Sequence, residues 1–200
     1  YKTVQYYELD RLAQYFRLFG FGRITGIDIG REYKGTIPNT AFMNKRYGRF
    51  GWSKGSLLNF CIGQGEILVT PIQVFNYVNL LATKGNSNSP HLVSSTKKDS
   101  ENEIPLSSQI WDRIIFDMRQ VVSHAKGTGK NADPAIQGVE IYGKTGTAEN
   151  PHGEDHAWFI GWVEYDKKKF SIVVLLENSG SGGAVACLLY TSPSPRDTMS

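Results

Sequence analysis

Cysteine is scarce. Cys61 and Cys187 are the only two in 200 residues, with no CxxC pair and no ligand-like spacing to histidine. Nothing in that spacing argues for a disulfide or a thiolate metal site, and they read as two separate thiols. Long apolar runs are missing as well. No stretch approaches the roughly 18 residues that cross a bilayer as a helix, and no part of these 200 residues reads as a leader peptide. Neither sign of charge dominates. The net charge is +3, and the densest basic run, Lys167 to Lys169, sits between two apolar stretches as a hairpin turn would. A nucleic-acid partner is therefore not expected.

What is there suits one globular domain, or a large part of one. The chain is 40% hydrophobic, and its length can bury a substantial core. It opens at Tyr1, without methionine and inside a helical pattern, so the expectation is a piece of a longer protein.

Leu9, Leu12, Ala13, Phe16 and Phe19 recur at helical spacing, with Gly20 as the stop. The following FGRITGIDIGREYKGTIPN is rich in glycine and turn residues and predicts an ordered loop with short strands. Its glycines, spaced G-x-G-x-x-x-G with no strand before them, do not make a dinucleotide site. Residues 36 to 60 read as irregular. Thr70, Pro71 and Gln73 then form a helix start, a capping box with proline in the first turn. Ile72, Phe75, Val78, Asn79 and Ala82 continue one face until Lys84-Gly85 ends it. Residues 86 to 108 are polar and loop-like. A second amphipathic helix is expected from about Ser108, with Ile110, Ile114, Ile115, Met118, Val121 and Val122 inward, stopping before Gly127.

The C-terminal third changes period. VEIYGKT, HAWFIGWVE and KFSIVVLLE are strand candidates, the last two joined as an antiparallel hairpin at Tyr165 to Lys168. Helices first and strands together afterwards predict an α+β architecture.

GVEIYGKTGTAE, Gly138 to Glu149, satisfies the phosphate-loop pattern G-x-x-x-x-G-K-[ST] through Gly138, Gly143, Lys144 and Thr145. A phosphate loop needs a preceding strand, a flexible loop between the glycines and a helix beginning at the lysine. Here Val139 to Tyr142 alternate as extended chain, a loop precedes Gly138, and Gly146, Pro151 and Gly153 forbid a helix afterwards. The strand reading makes chemical sense. A lysine and two threonines on an edge strand offer a cation, hydroxyls and backbone N–H groups facing one cleft, a receptor for a carboxylate and an oxyanion. Lys-Thr-Gly is also one of three elements of penicillin-recognising serine enzymes, beside a Ser-x-x-Lys and a Ser-x-Asn motif.

Several segments in register extend that likeness: DRLAQYFRLFGFGRITGIDI, NFCIGQGEILVTPIQVFNYVNLLATKG with PHLV, GTG at Gly127 to Gly129, YGKTGTAENPHGEDHAWFIGW and LLENSGSGGAVA. Together, over residues 5 to 186, they resemble the transpeptidase domain of elongation-type class B penicillin-binding proteins. The resemblance implies the penicillin-recognising serine transpeptidase/β-lactamase-like fold, an antiparallel sheet with covering helices, incomplete on its N-terminal side. It implies a peptidoglycan D,D-transpeptidase in which a serine attacks a D-Ala-D-Ala stem peptide, D-alanine leaves, and a neighbouring stem amine takes the acyl group. Under it, Lys144 supplies positive field and a hydrogen bond. Thr145 and Thr147 hydroxyls bind the substrate carboxylate, the Thr147 N–H is half of the oxyanion hole, and Gly146 lets the ligand lie close. Gly63, Gln64 and Gly65 are read as structural. No cofactor or metal is implied. The implied partners are peptidoglycan stem peptides, β-lactams and, for the full-length protein, a SEDS-type glycan polymerase and the elongation complex. The implied place is the extracytoplasmic face of the cytoplasmic membrane, held by an anchor outside this chain.

The nucleophile is not evident. Ser94/Lys97, Ser95/Lys98 and Ser123/Lys126 fit Ser-x-x-Lys, and Ser100/Asn102 fits Ser-x-Asn. A catalytic pair must be buried at a helix start so that desolvation can make the lysine a base. The first set lies in a polar, charged loop, and Ser123 at a frayed helix end. In the family, both motifs lie N-terminal to the segment that opens this chain, so serine and base are expected outside it and the isolated fragment is expected to be inactive. Asp155 and His156, with His152 nearby, are read as packing or supporting residues. After GGAVA, the family continues into a closing helix. CLLYTSPSPRDTMS, with Pro193 and Pro195, cannot form one, so residues 187–200 are expected to be a non-family, artefactual extension. A β-lactam-sensing domain or a β-lactamase of the same fold is the alternative reading.

Overall fold

The structure is a computed structural model that describes residues 9–93 and 102–187. It divides into two compact units. The first takes described residues 9–77, 86–93 and 102–104; the second takes 78–85 and 105–187.

In the first unit, helix α1 (Leu9–Leu18) is followed by a turn at Gly20. Leu9 packs with Met43 and Phe60 in a small core that also takes Leu12, Trp52, Leu57 and Ile67. Phe19 and Phe21 meet Tyr77 through edge-on and tilted ring contacts, and Phe16 meets Phe21 edge-on. The glycine-rich loop after α1 is ordered by carboxylates and a single bridge, not by the short strands expected. Thr36 pairs with Leu68 as an isolated antiparallel bridge. Glu32 accepts from the Thr25 and Gly26 amides at 2.6 and 3.1 Å, and Asp28 accepts from the Leu92 and Val93 amides at 2.6 and 2.8 Å. Those amides, Leu92 foremost, hold the Asp28 carboxyl below its ordinary range.

Residues 36 to 60 are not irregular. They contain α2 (Thr40–Tyr47) and α3 (Lys54–Cys61). Each is too short to show a clear apolar stripe, and each is set by its cap. Asn39 accepts from the Phe42 amide, and Ser53 from the Gly55 amide. Residues 86 to 108 also carry a minimal ladder, β1 (Asn86–Ser87) against β2 (Asn102–Glu103).

Helix α4 (Pro71–Ala82) begins as the sequence predicts. The Thr70 amide donates to Gln73 Oε1 at 3.0 Å, and the Gln73 amide donates to Thr70 Oγ1 at 3.3 Å. The same glutamine, 1% exposed, donates through Nε2 to the Arg23 and Lys34 carbonyls at 2.6 and 2.9 Å. One side chain thus starts a helix and ties down a loop far away in sequence. The buried face of α4 differs from the expected one. Val74, Val78, Leu80, Leu81 and Ala82 are buried, while Ile72, Phe75 and Asn79 are only partly covered. Burial around most of the helix erases the amphipathic signal.

The second unit is built on β3 (Glu140–Ala148), β4 (His156–Tyr165) and β5 (Lys168–Leu176), an antiparallel sheet in the order β3-β4-β5. Asp166 and Lys167 both have positive φ, 47° and 62°, between the paired Tyr165 and Lys168. That is the turn whose twist suits a two-residue hairpin. Helix α5 (Ser108–Ser123) packs on β3. Its inward residues include Met118 and Val122 as expected and also Trp111, whereas Ile110 is turned outward. Val122, Ala132, Ile141, Ala157, Phe159, Ala186 and Cys187 make the core. Lys169 crosses to the Ala82 carbonyl at 2.8 Å and pairs with Glu164 at 3.0 Å. Among the described residues, no helix is long and apolar enough to cross a membrane.

Replacing Gln73 by alanine removes the partner of the Arg23 and Lys34 carbonyls and of the Thr70 amide, all in part-buried bonds. The expected cost is about 2–4 kcal/mol, read as a lower urea midpoint together with faster hydrogen exchange at Thr70.

Candidate active site

β3 is the outer strand of its sheet among the described residues, and Lys144 to Thr147 lie in its second half. The chain here is strand throughout, with Gly143 to Thr145 paired to Phe159 to Gly161 of β4. A loop that wraps phosphate is thereby ruled out, as the alternation of Val139 to Tyr142 predicts.

The side chains do not all project from one face, as the sequence reading supposed. Strand alternation puts Ile141, Gly143, Thr145 and Thr147 on one side and Tyr142, Lys144 and Gly146 on the other. Thr145 is 9% exposed and lies on the side of the core. Its hydroxyl meets the Thr128 hydroxyl at 2.8 Å. Thr147 is exposed and accepts the Gly182 amide at 3.4 Å. Lys144, exposed on the other side, curls its ammonium to the Thr145 carbonyl. Cation and hydroxyls therefore leave the strand on opposite sides. Beyond Lys144 on its own side, Tyr142 stacks on Trp162 with ring centres 4.8 Å apart and donates to Glu140 Oε2 at 2.9 Å. Burial first, and then that bond, push the Tyr142 phenol far above its ordinary range, so it stays neutral.

Two flanking segments had no assigned role in the sequence reading. The Gly127–Gly129 turn supplies Thr128. The 181–185 turn supplies the Gly182 amide, and its Gly183 carbonyl accepts Asn131 Nδ2 at 3.4 Å. Gly182 is buried against the strand. A Cβ there would lie 2.1 Å from the Gly146 carbonyl oxygen and 2.4 Å from that of Trp158. Only glycine permits this approach. Both segments are visible in the sequence as glycine-rich motifs. Their convergence on the threonines is not, because it depends on pairing across 17 and 35 residues.

Asp155 and His156 serve the loop beyond β3. Asp155 accepts the Asn150 amide through its carboxylate and the Ser179 and Gly180 amides through its carbonyl. His156 Nδ1 accepts from the Asn178 amide at 3.0 Å, and Asn150 Nδ2 reaches Asn178 Oδ1 at 2.6 Å. His152 is exposed in the turn. Among the described residues, no group of three or more His, Cys, Asp or Glu could hold a metal. Gly63 and Gly65 have φ of 79° and 77°, in keeping with a structural role. Of the serine decoys, Ser123 is exposed and bonded to the Arg119 carbonyl, and Lys126 is exposed in the turn beyond. Ser94, Ser95, Lys97, Lys98 and Ser100 lie outside the described residues.

An edge strand of Lys-Thr-Gly-Thr, braced by a GTG turn and a glycine-rich turn on an antiparallel sheet, defines a penicillin-recognising acyl-transfer fold. The chain belongs to the penicillin-binding protein transpeptidase domain family, whose description matches residues 1–189. It is similar to peptidoglycan D,D-transpeptidase MrdA of Haemophilus influenzae, 34% identical over 90% of this chain and 31% of that protein. Among solved structures, it is similar to penicillin-binding protein 2 (PBP2) of Helicobacter pylori in complex with MreC. That match has TM-score 0.82 and 30% identity, covering 94% of this chain and 36% of the other. Pseudomonas aeruginosa PBP2, solved with WCK 5153, gives TM-score 0.77 and 31% identity over 90% of this chain and 40% of the other. The chain thus spans about a third of the length of the curated relatives it matches. The family match runs through Cys187, a core residue, to residue 189, and residues 188–200 lie outside the described ones.

Gly182→Ala is expected to lift the 181–185 turn from β3 and release the Gly182–Thr147 bond, with a loss of about 1–3 kcal/mol from the overpacked backbone. Faster amide exchange at Gly182 and Val185 and a lower thermal midpoint are the readouts. An unchanged midpoint would refute the close approach.

Proposed function

We propose that this chain is the C-terminal part of the transpeptidase domain of a peptidoglycan D,D-transpeptidase of the cell-elongation type. The observation that carries the reading is the braced Lys144–Thr147 edge, in a chain similar to proteins named D,D-transpeptidases over nine-tenths of its length. A serine Oγ from the part of the protein outside this chain attacks the D-Ala-D-Ala carbonyl, with a lysine of the same part taking its proton. The C–N bond breaks and D-alanine leaves with that proton. The amine of a second stem peptide then attacks the acyl-serine ester, whose C–O bond breaks as the new amide forms and the amine's proton returns to the serine oxygen. Thr145 and Thr147 receive the donor's terminal carboxylate, which Lys144 complements in charge. The Thr147 N–H stabilises the oxyanion, a service worth about 10²–10³ in rate per donor elsewhere. Gly146 leaves room for the donor along the strand. β-Lactams enter the same site as donor mimics.

The further partners follow the same reading. These are a SEDS-type glycan polymerase and the elongation assembly, reached by a protein anchored in the cytoplasmic membrane and working on its outer face. Residues 190–200, beyond the family match, are proposed to be foreign to the family, a point that sequencing the parent locus decides.

The test uses a fluorescent penicillin. The 200-residue chain alone is expected to take no covalent label, and labelling at any of its serines would overturn the placement of the nucleophile. The full-length protein is expected to label, and Lys144→Ala or Thr147→Val is expected to slow acylation by about tenfold or more, the effect of one lost charged or carboxylate-binding contact. Unchanged acylation in both variants would remove the proposed site.

A further inference from the structure

The C-terminal end of α2 and the turn after it carry charge and aromatic surface that the proposed site does not use. Between Glu32 and Glu66, the chain holds Lys34, Lys45, Arg46, Arg49 and Lys54 and no acidic residue. The structure concentrates the middle of that stretch. The Gly51 amide bonds the Gly48 carbonyl at 3.2 Å, which closes a β-turn with Arg49 and Phe50 as its two central residues. Both project outward, and Phe50 is 92% exposed, extreme for a phenylalanine.

The turn is held, not loose. Trp52 packs into the first unit's core and donates Nε1 to Asn44 Oδ1 at 2.8 Å, fixing the turn's base. A Cβ on Gly51 would lie 1.8 Å from the Tyr47 carbonyl oxygen, so the chain folds back tightly under the tip. The Arg49 guanidinium stays 5.8 Å from the Phe50 ring centre, and Arg46 lies 5.5 Å from that of Tyr47. Arg46 Nε donates to the Tyr47 hydroxyl, which in turn donates to Glu66. Among the described residues, no carboxylate lies within ion-pair distance of Lys45, Arg46 or Arg49. The tip thus gathers three cations that have no carboxylate in ion-pair range with two exposed aromatic rings, a pairing of charge and aromatic surface suited to ligand contact.

We propose that this turn binds a carboxylate-bearing glycan, specifically the peptidoglycan strand, and in this it rests on the function proposed above. The chemistry matches part by part. Pyranose rings present C–H faces that stack on an open aromatic ring, as Phe50 and the half-exposed Tyr47 offer. The lactyl-peptide branches of the strand end in carboxylates, which Lys45, Arg46 and Arg49 can pair, arginine in two-point fashion. A bare polyanion would need the cations and not the ring, and a lipid surface would reward the ring with no need of sugar.

The probe is purified peptidoglycan sacculi, sedimented with the 200-residue chain at several salt concentrations. Vesicles of phosphatidylglycerol and phosphatidylethanolamine are run alongside. The wild-type chain is expected to sediment with sacculi and less so as salt rises. The pair Arg46→Gln and Arg49→Gln is expected to weaken binding about tenfold, two exposed ion pairs' worth. Phe50→Ala is expected to weaken it about fivefold. All three positions are solvent-exposed, so circular dichroism is expected to match wild type. Binding that Phe50→Ala leaves intact, or that occurs on vesicles and not on sacculi, overturns the inference. So does sacculus binding that neither variant alters. Acylation of the full-length protein by penicillin stays at the wild-type rate in these variants, so a failure of the turn is distinguishable from a failure of the transpeptidase reading.

Discussion

The second unit depends on the seating of one aromatic ring. Phe159, fully buried in β4, lies across Gly143 of β3 so closely that a Cβ on that glycine would come within 2.5 Å of its Cζ. The ring thereby fills the space a side chain on β3 would take. It shares the core with Val122 of α5, with Ala132 and with Ala186 beyond the sheet. A Cβ on Gly129 would touch the same ring at 3.4 Å. Helix, GTG turn and C-terminal turn are therefore all referred to the residue that pairs with Thr145. In a close-packed interior, such a ring transmits position, because no partner can move without opening a void.

That arrangement explains how an edge strand can be both exposed and exact. Edge strands are free to fray, and their unpaired backbone is a liability unless something braces it. Here bracing comes from the side of the strand that bears the threonines. Thr128 bonds Thr145 and the Gly182 amide bonds Thr147, while Lys144 and Gly146 lie on the other side. The oxyanion role proposed above for the Thr147 N–H draws on such bracing, since preorganised donors need no reorganisation during a reaction.

The two units keep their order by different means. The second relies on apolar burial around Phe159. In the first, a long loop is held by polar side chains that accept or donate to backbone at a distance: Gln73, Glu32 and Asp28. Such bonds contribute modestly one by one, more where the acceptor is a carboxylate, and together they fix the loop's path. Their number makes the loop definite without a ladder of strands.

Much was legible in the residues alone. The β-period of the last third, the two-residue hairpin at Asp166-Lys167, the Thr70–Gln73 capping box and the exclusion of a phosphate loop all follow from local rules of spacing and backbone preference. The family, too, was readable from motifs in register. Helices α2 and α3 were not, because a single turn or two of helix is set by its caps and its surroundings and carries little periodicity. The inward face of α4 was misjudged because a helix buried nearly all round has no polar side to mark the other. What only tertiary structure decided is the company each motif keeps. Thr128 beside Thr145 and Gly182 on Thr147 are consequences of packing between distant segments, and local sequence holds no record of those distances.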